Sequence, residues 1–227
     1  MTNNASRWPG PSRGIFAEAL GALLLTAAVV GSGIMGERLA AGNLAIALLA
    51  NTAATVTVLA ALIAMFGPIS GAHFNPVITL VALSNRQIGA SRSVAYVLAQ
   101  IVGCCAGAVL ANAMFELPLV HASTHIRTGG AQWLAEFVAT AGLVLVAFTS
   151  PSIREAAWRV PAWIAGAYWF TASTSFANPA ISIGRSLSDT FAGIRPADAP
   201  GFVLAELAGG LAGALLLRVF AEPKAVV

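Results

Sequence analysis

Two Asn-Pro pairs, in Asn75-Pro76-Val77 and Asn178-Pro179-Ala180, interrupt a chain that is otherwise a series of long apolar runs. Proline sits without cost in the first turn of a helix, where its missing N–H would have had no partner, and an asparagine just before it caps that helix. Each pair therefore predicts a helix that begins at membrane depth. Irregular backbone persists at that depth only when it is buried in protein or lines a wet cavity. Two such segments in one chain restrict the fold to one that encloses both.

The rest of the sequence fixes the solvent. Of 227 residues, 58% are hydrophobic and 9% charged, against roughly a quarter charged in soluble domains, so no water-exposed surface of ordinary size can be built. Six apolar stretches suit helices of about twenty residues: 15–36, 43–66, 91–115, 132–150, 159–174 and 201–221. Two shorter pieces, 76–84 and 179–187, follow the Asn-Pro pairs and are too short to span. The first stretch follows Arg7 and Arg13, as in a secretory signal, but it is longer than a signal's apolar run and contains Glu18, so it reads as a retained helix. Alternation from a cytoplasmic N-terminus puts Arg7, Arg13, Arg86, Arg92, Arg154, Arg159, Arg218 and Lys224 inside, and Arg38, Arg127, Arg185 and Arg195 outside. That bias predicts both termini in the cytoplasm. A nucleic-acid partner would need a basic cluster, which is absent.

The chain reads as one unit used twice, about 15–115 and 132–221. Glu18 opens the first span and Glu136 the fourth; the Asn-Pro pairs correspond next; then the segment from Gln100 through Gly103 and Gly107 lines up with Glu206, Gly209 and Gly213. With three spans per unit, an odd number, the second copy enters from the opposite side, an inverted repeat. The expected fold is all-α, with six transmembrane helices and two re-entrant half-helices whose N-termini meet near the midplane. The glycine stripes would let helix backbones touch. Cys104 and Cys105 are neighbours in the third span, read as small packing residues because adjacent cysteines do not readily close a disulfide.

Two converging half-helix N-termini each carry roughly half a positive charge. A cation there meets a barrier, and a neutral hydrogen-bonding molecule does not. Asn75 and Asn178 would offer amide N–H groups to such a solute, their side-chain oxygens being engaged at the caps. The duplicated triads, the run Ser70-Gly71-Ala72-His73-Phe74-Asn75-Pro76 and the paired glutamates resemble the aquaporin and glycerol-facilitator family, from Phe16 to Phe220. The resemblance implies a pore in every subunit, a homotetramer in the cell's inner membrane, no cofactor and no metal. It also implies that Glu18 and Glu136 accept hydrogen bonds from the re-entrant loops, and that His73 stands on the pore wall.

The family's outer constriction, located by offset from the triads, falls on Thr55, Gly166, Ser175 and Ile181. The usual aromatic and arginine are both missing from that set, and Val77 replaces the usual alanine. A wider mouth is expected, suited to solutes larger than water. Arg185, one helical turn beyond Ile181, is either a guanidinium moved into the outer vestibule or an interfacial arginine paired with Asp189. A bacterial branch lacking the filter arginine and associated with arsenic handling is similar, so neutral metalloid acids join water and glycerol-like polyols as expected solutes. The alternatives are a coupled secondary transporter, for which Glu18, Glu136 and Glu206 are the acids at membrane depth, and a weakly selective ion or anion channel. No nucleophile, base and oxyanion grouping can be assembled, so no enzyme is read here.

Overall fold

The structure, a computed structural model, describes residues 10–220; Arg7 and Lys224 of the charge argument lie outside them. The described residues form eight helices: α1 (Gly10–Leu39), α2 (Leu44–Ser70), α3 (Pro76–Ser84), α4 (Ala90–Met114), α5 (Gly130–Phe148), α6 (Ile153–Phe170), α7 (Pro179–Arg185) and α8 (Ala199–Phe220). Local chemistry sets several of their ends. Asn43 caps α2 by accepting from the N–H groups of Ala45 and Ile46, and Gly71 ends it in a left-handed conformation, φ 94°, that glycine adopts freely. Ser152 caps α6 through the N–H of Glu155.

Five of the helices are long and apolar enough to cross a membrane: α1, α2, α4, α5 and α8. The expectation of a sixth such span over 159–174 needs adjusting. That helix, α6, runs Ile153–Phe170 and opens with Arg154, Glu155 and Arg159, so its apolar part is shorter than expected. Its end comes early because Thr171 turns extended, φ −108° and ψ 138°, to start the second re-entrant loop. The half-helix α7 likewise stops at Arg185 rather than at 187.

Packing follows the small residues. A Cβ on Gly103 or Gly107 of α4 would overlap the backbone of Ala19 or Leu23 in α1, and one on Gly209 or Gly213 of α8 would overlap that of Phe137 or Ala141 in α5. Close backbone approach replaces the hydrophobic driving force that lipid does not supply. The helix pairs α1–α4 and α5–α8 are accordingly the most extensive contacts in each half, and α3 and α7 sit between the halves. The face that carries segment 115–129 is called outer below.

Candidate pore and its outer mouth

The two re-entrant loops are built alike. Residues three and one before each asparagine are left-handed: Ala72 at φ 51° and Phe74 at 47°, Ser175 at 52° and Ala177 at 48°. Such conformations cost non-glycine residues about 1–2 kcal/mol each, so something must hold them. A buried carboxylate does so in each half. Glu18 accepts from the N–H groups of His73 (3.0 Å) and Phe74 (2.7 Å), and Glu136 from those of Phe176 (2.9 Å) and Ala177 (2.7 Å).

The asparagines then close the centre. Asn75 Oδ1 caps α3 by accepting from Val77 N–H, and Asn178 Oδ1 caps α7 by accepting from Ala180 and Ile181. Each amide nitrogen donates across the midline, Asn75 to the carbonyl of Ala177 at 2.7 Å and Asn178 to that of Phe74 at 2.9 Å. Part of each amide's donor capacity is thus spent within the protein. An amide nitrogen carries two hydrogens, which leaves one N–H on each asparagine for the cavity that both residues line.

That cavity has a volume of about 350 Å³ and is lined by residues of both halves. Gln87, Ser150 and Ser152 line one end, Asn75 and Asn178 the middle, and Arg185 the outer end. His73 lines it too, with Nδ1 3.1 Å from Thr79 Oγ1 and its ring edge-on to Tyr96. Pro76, Val77, Pro179 and Ala180 are buried behind the wall, where Val77 occupies the space that Gly210 leaves by having no side chain.

At the outer end Thr55, Ser175 and Ile181 line the cavity, and the placement of Gly166 with them is overturned. Gly166 is exposed on the far side of α6, where an added Cβ would meet only Phe170 of its own helix. The cavity face of α6 runs Ala156, Val160, Ile164, Tyr168 in four-residue steps. The Tyr168 hydroxyl donates to Thr55 Oγ1 at 3.4 Å, so the mouth contains an aromatic ring that counting back from the triad missed. A helical-face count along 153–170 would have found it.

Arg185 does not pair with Asp189, whose carboxylate accepts instead from the Thr124 N–H at 2.7 Å and the Thr124 hydroxyl. It is 2% exposed, its guanidinium 3.4 Å from the centre of the Phe176 ring and its Nε donating to the Ala192 carbonyl. A second guanidinium, which sequence reasoning counted only as a loop charge, joins it there. Arg127 reaches in from segment 115–129 to 5.1 Å from the same ring. It donates to the carbonyls of Gly193 (2.8 Å), Ser173 (3.2 Å) and Phe191 (3.3 Å). Burial pushes its pKa down to about 10, which still leaves it charged at neutral pH.

Comparison with known proteins agrees with this architecture. The model of the major intrinsic protein family matches residues 5–161. Aquaglyceroporin AqpS of Rhizobium meliloti (strain 1021) is 50% identical over 214 residues, 93% of this chain and 91% of that one. Human aquaporin-5 is 30% identical over 181 residues, 78% of this chain and 60% of its own length. Among solved structures, the aquaglyceroporin from Plasmodium falciparum superposes with a TM-score of 0.68 at 17% identity, covering 91% of this chain and 95% of that one, a likeness of fold. A multi-pass chain with paired re-entrant half-helices around a shared cavity, matched by the family's own sequence pattern over most of its length, belongs to the major intrinsic protein family of membrane channels.

Proposed function

We propose that the chain is a passive channel for small neutral polyols and similarly shaped hydroxylated solutes. The observation that carries this is one cavity lined by both asparagines, by Gln87 and Ser152 at one end and by Tyr168 and Arg185 at the other. A solute with several hydroxyls exchanges its water for the remaining Asn75 and Asn178 N–H groups and for the loop carbonyls, while Ile78, Leu143 and Ile164 contact its carbon side. Likeness to a relative named an aquaglyceroporin supports glycerol as the reference solute. Arsenous acid, uncharged at neutral pH and carrying three hydroxyls, fits the same description.

The mouth combines Thr55, Ser175, Ile181 and Tyr168, with no guanidinium at the position of Ile181. Val77 and Ala180 act as packing residues that seat the half-helices. We place the channel in the cell's inner membrane as a homotetramer of inverted-repeat subunits with both termini in the cytoplasm, the orientation favoured by the basic residues. Stopped-flow swelling of vesicles containing the purified protein tests the solute reading. Glycerol and arsenous acid flux well above that of empty vesicles is expected; flux equal to empty vesicles for every neutral solute, or flux that requires a proton or sodium gradient, removes it.

A further inference from the structure

The outer mouth gathers donors and positive charge with no carboxylate in direct ion pairing, Glu136 and Glu206 acting on Arg185 only at longer range. Arg185 and Arg127, 2% and 9% exposed, are both withdrawn from bulk water. The ion pairs among the described residues are Arg159–Glu155 and Arg195–Asp198, so neither buried guanidinium has one. A buried charge is costly unless paired and hydrogen-bonded. Arg127 spends its fork on three backbone carbonyls. Arg185 spends only its Nε, on Ala192, and its two Nη groups make no hydrogen bond within the described protein although the residue lines the cavity. Two carboxylates act on Arg185 from a distance, Glu136 and Glu206; both Glu136 oxygens are taken by the Phe176 and Ala177 N–H groups, and Glu206 Oε1 by the Asn178 N–H and the Ser182 hydroxyl.

A second observation comes from Ser175. It lines the same cavity, is 2% exposed, and its Oγ is buried without a partner. The loop holds it in a left-handed conformation, φ 52°, next to Phe176, on whose ring both guanidiniums rest. The mouth thus holds an unpaired two-nitrogen fork, a buried hydroxyl without a partner and a supporting second charge. A planar guanidinium with both Nη groups free matches two oxygens on one centre better than it matches a halide.

We propose that the outer end of the cavity binds a small monovalent oxyanion, two of whose oxygens take the Arg185 Nη groups, with the Ser175 hydroxyl as a further donor and Arg127 as the second positive charge behind Phe176. The site rests on the solute-path reading only for its consequence: an anion seated there occupies the mouth and slows the entry of neutral solutes. Carboxylates and oxyacid anions of formate to acetate size are the class it takes; chloride, which cannot bridge the fork, binds more weakly.

Formate is the probe. Thermal unfolding of the purified full chain in detergent is followed during titration with sodium formate and, at matched ionic strength, sodium chloride. Formate is expected to raise Tm beyond chloride with roughly millimolar affinity. Arg185→Ala should weaken that affinity about tenfold, the loss of a charge-assisted pair of hydrogen bonds. Arg185→Lys, which keeps charge but not the fork, should fall between, and Arg127→Gln, which leaves the fork intact, serves if the alanine variant does not fold; it should weaken affinity by about threefold. No formate effect beyond chloride in the unaltered protein overturns the proposal, as does an unchanged effect in Arg185→Ala. Glycerol flux in vesicles separates the two readings. Flux that persists and ignores formate overturns the anion site and leaves the channel; a formate-dependent Tm shift without glycerol flux supports the site and removes the channel.

Discussion

The two halves hold their re-entrant loops at identical offsets and differ in what stands behind the carboxylate. In the first half Glu18 receives four donors: the N–H groups of His73 and Phe74, the Ser70 hydroxyl and the amide of Gln100. Gln100 also donates to Thr79, four residues after the asparagine. In the second half Glu136 receives the two loop N–H groups, and the residue matching Gln100 is itself an acid. Glu206 accepts from Asn178 N–H and from the hydroxyl of Ser182, four residues after that asparagine, while its Oε2 is buried without a partner. A neutral amide completes one half and a second carboxyl group crowds the other. The loop geometry is shared between the halves and its support differs.

The strongest way to break this comparison is to remove the carboxylates. Glu18→Ala strands two backbone N–H groups and two side-chain donors, so unfolding in detergent should show a loss of about 4 kcal/mol or more, and Glu136→Ala a smaller one. Equal losses would mean that Ser70 and Gln100 add nothing. Next comes Gly210→Ala, whose methyl would overlap Val77; overpacking of this kind costs about 1–3 kcal/mol. Adding Val77→Ala to that variant should recover most of the loss, and a double variant no more stable than the single one would show that the two side chains do not share the space.

Glu206→Gln sharpens the asymmetry itself. A glutamine there keeps an acceptor for Asn178 and Ser182 and supplies an N–H toward Glu136, copying the first half, so Tm should hold or rise by the equivalent of about 1 kcal/mol. Gln100→Glu, the reverse exchange, should destabilise. The smallest effect belongs to the outer segment, where the Thr124 backbone N–H and hydroxyl keep the Asp189 carboxyl below its usual range. A carboxyl whose pKa is lowered in the folded state adds stability that is present above the unfolded value near 3.8 and is lost as pH falls below it toward the folded value. Proteolysis of segment 115–129 should therefore quicken below about pH 3.8 in the unaltered protein, and Asp189→Asn should flatten that dependence.

What was legible in the sequence was local or repeated. Asn75-Pro76 and Asn178-Pro179 declare helix starts within a few residues, and Glu18 and Glu136 stand out because an unpartnered acid at membrane depth is so costly. The mouth was harder. Counting back twelve residues from Asn178 landed on Gly166, because segment 171–177 folds through left-handed turns at Thr174, Ser175 and Ala177 and does not keep a fixed register with α6. Tyr168 was visible only as part of a helical stripe. Arg127 had no local signature at all: its partners Ser173, Phe191 and Gly193 are 46, 64 and 66 residues away.

The crossed bonds between the asparagines and the opposite loops have a consequence for how the chain is made. Asn75 leaves the ribosome 102 residues before the carbonyl it will bind on Ala177. At roughly 5–20 residues per second, that is an interval of about 5–20 s. Throughout it, the earlier hairpin must wait in the translocon or lipid with a polar amide and a bare carbonyl at Phe74. The centre of this protein can therefore close only after the late half has been made and receives what the early half has been holding out.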